Sequence, residues 1–233
     1  MAIIPMKWNA AGTGRGHDPG RLAGTRVALN NEVAPGVFRL SFPRVFDFIP
    51  GQLVALTLDL SVPARFYSIA SGAAEPMVEI LYDLVPEGLL TPRLARLAPG
   101  ETILVSPPFG RFTDDENPSC WVAAGTGIAP FVSMVRSGLV RGKSLIHGSR
   151  TVAGLFGRAL FDSLLAERYF PCCSRESAPG VFRGRPTEWL TSRSLPAAPR
   201  YLLCGSSRMV VDARDIIIGK GAPFASVIGE IYF

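Results

Sequence analysis

The chain predicts two domains in series, an antiparallel β-barrel followed by an α/β domain built on a parallel sheet. Three observations predict it. From Gly24 to about Phe112, short β-prone runs alternate with turn residues. The acidic run Asp114-Asp115-Glu116-Asn117-Pro118 then interrupts the pattern. Beyond it, apolar strand-like runs alternate with helical ones, the rhythm of a parallel sheet with covering helices. At 233 residues, 48% of them hydrophobic and 18% charged, the chain can hold two cores of modest size.

Residues 1–23 are weakly patterned and carry Gly12, Gly14, Gly16 and Gly20. They lack the apolar core of a secretory signal. A flexible N-terminal arm is expected there, with Ile3, Ile4 and Trp8 as the residues able to dock. The barrel domain is placed at 24–113. Its strands are Thr25–Leu29, Val37–Phe42, Gln52–Leu58, Arg65–Ala70, Met77–Tyr82 and Thr102–Val105. Pro35-Gly36, Pro50-Gly51, Ser71-Gly72 and Pro99-Gly100 are the turns between them. One helix fits at Leu89–Leu97, with Thr91-Pro92 positioned to cap and open it. Six strands with turns between them suggest closure into a barrel.

Residues 114–118 read as a linker and 119–233 as the α/β domain. Its buried parallel strands are expected at Cys120–Ala124, Lys143–Gly148, Arg168–Cys173 and Arg200–Cys204. Its covering helices are expected at Pro130–Ser137, Phe156–Ala166 and Ser207–Gly219. Phe224–Phe233 is strand-like again.

Composition removes several function classes. The net charge of +5 suits anionic ligands or an acidic partner. No basic stripe interleaved with aromatics points to nucleic acid, and no apolar run approaches the roughly 20 residues that span a bilayer. Cys120, Cys172, Cys173 and Cys204 show neither metal-ligand nor iron–sulfur spacing. Free thiols and a cytoplasmic setting are therefore expected, with no metal. There is no Ser-His-Asp pattern. His17 lies in the arm, and His147, at a strand end, reads as structural. The oligomeric state is open, with a monomer as the working expectation.

Two motifs carry chemistry. Apolar Trp121-Val122-Ala123-Ala124 feeds Gly125-Thr126-Gly127-Ile128-Ala129-Pro130. Glycines let a backbone turn sharply and approach a ligand, and Pro130 loses no hydrogen bond at a helix start. The free N–H groups there suit a pyrophosphate. A tight strand–helix turn is the competing reading. In Arg65-Phe66-Tyr67-Ser68, Tyr67 offers a ring for a planar flavin, Ser68 a donor near its N5 atom, and Arg65 a cation for its phosphate. Alternation puts Arg65 and Tyr67 on one face and Ser68 on the other. An ordinary barrel strand with an exposed arginine is the competing reading.

Taken in order, these runs resemble the ferredoxin–NADP reductase superfamily over about Gly24 to Phe233. Arg65-Phe66-Tyr67-Ser68-Ile69-Ala70-Ser71 is similar to its flavin signature, and Pro50-Gly51-Gln52 to the turn before it. Gly88-Leu89-Leu90-Thr91 resembles the segment that holds the FAD pyrophosphate. Pro107-Pro108-Phe109-Gly110 resembles the run that closes the barrel. Gly125 to Pro130 resembles the nicotinamide-nucleotide loop, and Cys204-Gly205-Ser206 with Met209 the segment beside the nicotinamide.

The resemblance implies a Greek-key barrel for FAD and a Rossmann-like domain for NADP(H). Hydride would pass between NADPH and FAD, and single electrons between FAD and an acidic ferredoxin or flavodoxin. Ser68, Cys204, Glu230 and Tyr232 are the implied catalytic group. Arg150, Ser174 and Arg175 are the implied 2′-phosphate contacts, and Arg183 and Arg185 lie close enough to help. Glu176 is the one acidic residue placed as NAD-selective sites place theirs, and the arginines favour NADPH over NADH. Glu230-Ile231-Tyr232 resembles the plant-type ending in which an aromatic ring covers the flavin. This chain adds Phe233, so either ring can be the cover. Two alternatives stay open: an NAD(P)H:flavin reductase, and a flavin-binding electron-transfer subunit without turnover of its own.

Overall fold

The computed structural model describes residues 22–196 and 198–232. Residues 1–21 of the expected arm, His17 among them, and Phe233 lie outside the described residues, while Ala23, placed at the end of that arm, opens the first strand. The first domain contains β1 (Ala23–Arg26), β2 (Leu29–Ala34), β3 (Val37–Pro43), β4 (Leu53–Thr57), β5 (Arg65–Ser68), β6 (Met77–Asp83), helix α1 (Thr91–Leu94) and β7 (Thr102–Val105). The strands form a four-stranded sheet, β1-β7-β4-β5, and a three-stranded one, β2-β3-β6, with every pairing antiparallel. The Ile69–Ile80 bridge joins the sheets on one side. On the other, the Ala28 amide donates to the Ser41 carbonyl at 2.8 Å. Inward residues such as Leu40, Phe42, Val54, Leu56, Ile69 and Ile80 fill the barrel.

Two details differ from the expectation. Strand β2 is present because Asn30, a residue type depleted in strands, is satisfied by side-chain bonds. Its amide donates to the carbonyls of Leu94 (2.8 Å) and Leu97 (3.1 Å), and its oxygen accepts from Tyr82 at 3.0 Å. Helix α1 is a single turn that starts at Thr91. The Thr91 hydroxyl does not cap it but accepts the Val85 amide at 2.9 Å.

The second domain contains β8 (Ser119–Ala124), α2 (Ala129–Arg136), β9 (Lys143–Ser149), α3 (Arg158–Leu165), β10 (Tyr169–Cys173), β11 (Phe182–Arg183), α4 (Pro186–Ser192), β12 (Tyr201–Ser206), α5 (Ser207–Gly219) and β13 (Val227–Tyr232). All six strands are parallel, in the order β11-β10-β9-β8-β12-β13. The chain leaves β8 towards β9 and later returns to its other side as β12. The carboxyl ends of β8 and β12 therefore flank the switch point where such sheets bind ligands. Alternation separates the faces: Trp121, Ala123, Leu202 and Cys204 pack beneath α2, while Cys120, Val122 and Leu203 pack beneath α4 and α5. Sequence periodicity overlooked β11 and α4.

The acidic run between the domains is anchored. The Asp114 carboxylate is fully buried and accepts from Trp121 Nε1 (2.7 Å), Lys143 Nζ (3.0 Å), Arg200 and the Ser119 hydroxyl. Lys143, also fully buried, completes its bonds on the carbonyls of Asp115 and Asn117. A buried pair is costly to break one-sidedly, because the survivor keeps its charge without a partner. Asp114→Ala is therefore expected to destabilise the fold by about 3–5 kcal/mol, measured by urea unfolding followed through tryptophan fluorescence.

Candidate functional site

The two domains meet along α2. Beneath its first turns, Phe131 stacks on Trp121 at 5.2 Å and meets Phe112 of the barrel edge-on at 5.8 Å. Barrel residues Ala70 and Leu81 join the same buried cluster. Polar bonds cross the seam as well. Ser133 Oγ donates to the Ser71 carbonyl at 2.7 Å, and Ser137 Oγ accepts the Ala73 amide at 2.9 Å. Arg136 lies between Glu75 and Glu79 and ion-pairs with both. Gly72 permits the close approach, since a Cβ there would come within 2.8 Å of the Arg136 carbonyl. Thr126 Oγ1 donates to Asp83 Oδ2 at 2.7 Å, which ties the nucleotide-like loop to the end of β6.

The seam brings the end of β5 to the carboxyl edge of the parallel sheet. Cys204 and Glu230 are register partners on β12 and β13, and Tyr232 follows Glu230 on the same face. Ser68, the buried end of β5, meets them. Its hydroxyl donates to Glu230 Oε1 at 2.8 Å and accepts from the Tyr232 hydroxyl at 2.6 Å. Cys204 Sγ lies 3.9 Å from the same Glu230 oxygen. Four side chains separated by up to 164 positions thus form one hydrogen-bonded group.

Burial sets its electrostatics. It raises Glu230 from 4.5 to about 7, against the pull of the bonds from Ser68 and Cys204. Burial also pushes the Cys204 thiol and the Tyr232 hydroxyl well up, so both stay protonated near neutrality. Only Glu230 can change its proton there. The bond direction Tyr232 to Ser68 to Glu230 forms a short relay that ends on its carboxylate.

On the barrel side, Arg65 is exposed and Tyr67 half-buried. Tyr67 packs edge-on to Tyr82 at 6.3 Å, and burial raises its hydroxyl. Among the described residues, the amides of Leu89, Leu90 and Thr91 make no hydrogen bond. The Leu90 side chain belongs to the barrel core, so only its backbone can meet a ligand, as can that of Gly88 beside it. At the switch point, residues 125–128 form a 3₁₀ turn that leads into α2, with Pro130 in its first turn. Gly127 must be glycine, because a Cβ would lie 2.4 Å from the Cys204 carbonyl. Gly125, at φ +59°, faces open space. Gly205, at the end of β12, lies against Met209 of α5, whose side chain is core.

Arg150, Arg175 and Arg183 are exposed at the ends of β9, β10 and β11, with Ser174 half-buried among them. Among the described residues, no carboxylate pairs with any of the three arginines. Sequence reasoning missed the contacts of Asp83, Arg136 and Glu176, none of which carries a local pattern.

Other groups fall outside the site. His147 is buried against the Tyr169 hydroxyl at 3.0 Å, and burial lowers it to about 3, which leaves it neutral. All four cysteines are free and buried. Among the described residues, no cluster suits a metal ion and no helix is long and apolar enough to cross a membrane.

Residues 121–215 match the oxidoreductase NAD-binding domain family. The chain is 32% identical to the flavodoxin/ferredoxin–NADP reductase of Rhodobacter capsulatus, covering 79% of this chain and 80% of that one. It is 33% identical to the Escherichia coli K12 protein of the same name, over 73% and 79%. Among solved structures, a ferredoxin NADP+ reductase from Neisseria gonorrhoeae with bound FAD and NADP superposes with a TM-score of 0.82 at 21% identity, over 91% and 99%.

The raised Glu230 fixes the sign of a pH effect. The folded state holds that proton more tightly than the unfolded chain does, so its stabilising contribution is full below about 4.5 and is lost as pH rises through about 7. Thermal unfolding across that range is expected to show wild type losing stability relative to Glu230→Gln.

Proposed function

The chain belongs to the flavodoxin/ferredoxin–NADP reductase family, and from that premise we propose that it binds FAD on the barrel and NADPH on the parallel sheet and carries electrons between NADPH and a ferredoxin or flavodoxin. The observation that carries the reading is the Ser68–Glu230–Tyr232 group with Cys204, assembled where the two domains meet.

The residues present fit both groups. For FAD, the half-buried Tyr67 ring, the exposed Arg65 and the unbonded amides of 89–91 offer a stacking surface, a cation and phosphate donors. For NADPH, Gly125 leaves its side of the loop open for a phosphate to approach, and Arg150 and Arg175, which pair with no carboxylate among the described residues, suit a 2′-phosphate, with Ser174 and Arg183 beside them. Gly205 and Met209 border the nicotinamide end.

When bound, the nicotinamide and the flavin supply the hydride and single-electron chemistry. The protein contributes position and proton control. The seam along α2 holds Ser68 at fixed distance from Glu230. Ser68 keeps a hydroxyl at the meeting point, and Glu230 holds or releases a proton at its carboxyl group. Tyr232 covers this point while bonded to Ser68, so admission of the nicotinamide requires that 2.6 Å bond to break. The net charge of +5 suits an acidic carrier.

One observation favours a second reading, the reductase subunit of an O-demethylase. The chain is 32% identical to the aromatic O-demethylase reductase subunit of Amycolatopsis, and spans 56% of that longer protein.

Purified protein, assayed for NADPH oxidation with ferredoxin, flavodoxin and free FMN in turn, tests the proposal. Turnover with a carrier protein and retained FAD is expected; a colourless protein that takes up no FAD, or turnover with free FMN alone, contradicts it. In the same assay Arg175→Ala is expected to lower the preference for NADPH over NADH by about tenfold or more, the loss of one charged hydrogen-bonded contact.

A further inference from the structure

Glu176 follows Arg175 at the end of β10, where an acid would ordinarily mark a ribose-hydroxyl acceptor and a preference for NADH. Its carboxylate is engaged elsewhere. Glu176 Oε2 accepts the Val152 amide at 2.6 Å, on the loop after β9. The same strand end reaches that loop through other bonds. The Arg150 carbonyl accepts the Arg175 amide at 3.0 Å and the Cys173 thiol at 3.1 Å, and the Ser149 carbonyl accepts the Ser174 amide at 3.1 Å. The loop is also tight in itself: a Cβ at Gly154 would lie 2.2 Å from Ser149 Oγ. Arg150 therefore stands on a turn fastened on one side by the Cys173 thiol and the backbone of 174–175, and on the other by the Glu176 carboxylate.

We propose that Glu176 is a positioning residue for nucleotide selectivity, which holds the 150–152 turn so that Arg150 stands beside Arg175 as one half of a 2′-phosphate clamp. The inference rests on the reading of Arg150 and Arg175 as 2′-phosphate contacts. An acid next to a phosphate site opposes the phosphate by charge alone. Bonded to Val152, the same acid organises a cation that attracts it. A charged acceptor on a backbone amide is a stronger tether than a neutral one, and a preorganised loop spares ligand binding the entropy of ordering it.

The test measures affinities of the FAD-loaded protein for 2′,5′-ADP and for 5′-AMP by calorimetry, in wild type, Glu176→Ala, Glu176→Gln and Arg150→Ala. The two ligands differ only in the 2′-phosphate. Glu176→Ala is expected to weaken 2′,5′-ADP about tenfold, as the loss of one charge-assisted bond implies, and to leave 5′-AMP unchanged. Glu176→Gln keeps an acceptor oxygen and is expected to stay within about threefold of wild type. Tighter 2′,5′-ADP binding in both Glu176 variants would overturn the proposal, since it would make Glu176 only a repelling charge. Unchanged binding in both, or equal weakening of the two ligands, would overturn it as well. If Arg150→Ala left 2′,5′-ADP binding intact, the underlying assignment of Arg150 would fall, and the inference with it.

Discussion

Arg136 of α2, set between Glu75 and Glu79 of the barrel, marks the contact on which everything else depends. It ends a helix whose other seam residues are apolar or small and whose loop is tied to Asp83 through Thr126. Half-buried ion pairs are modest sources of stability. Here they add direction to a contact that the Phe112–Phe131–Trp121 ladder makes apolar. Apolar burial supplies affinity between the domains without fixing their orientation. Bonds to Glu75, Glu79, Ser71, Ala73 and Asp83 fix it.

The consequence reaches the site through rigid elements. α2 begins where the loop 125–128 ends, so whatever fixes α2 to the barrel also fixes the switch point of the sheet against β5. Ser68 of the barrel can then meet Glu230 and Tyr232 of the parallel sheet at ordinary hydrogen-bond distances. Closing the seam also removes water from Glu230, and that desolvation moves its proton affinity to neutrality. One contact thus gives both position and proton control, the two things a protein adds to cofactors that carry their own chemistry.

Much of this was legible in the sequence because it is local. Arg65–Ser68 and Gly125–Pro130 declare themselves by residue type and by the strand or helix beside them. Glu230 and Tyr232 are separated by one residue on a strand, so their common face follows from alternation. What stayed hidden depends on distant partners. Asp114 looked like part of a polar linker, yet its carboxylate is buried on Lys143, 29 positions away. Asn30 weakened the pattern of β2 because its bonds to Leu94, Leu97 and Tyr82 carry no periodic signal. Helix α4 is only seven residues long, too short for a clear period, and its local marks are the opening Pro186 and the Glu188 carboxylate that accepts the Arg185 amide. Glu176 has the residue type of a ribose-hydroxyl acceptor, and its bond to the Val152 amide, 24 positions away, leaves no local trace.

Anaerobic stopped-flow mixing of the FAD-loaded protein with NADPH, in wild type and Arg136→Ala, tests most directly whether the seam sets the reacting geometry. The account predicts that both proteins bind FAD and NADP+ with affinities within a few-fold, while flavin reduction in the variant slows by about 10²-fold, the scale of a misplacement near 1 Å. Reduction at the wild-type rate in Arg136→Ala, with both ligands bound, would contradict it.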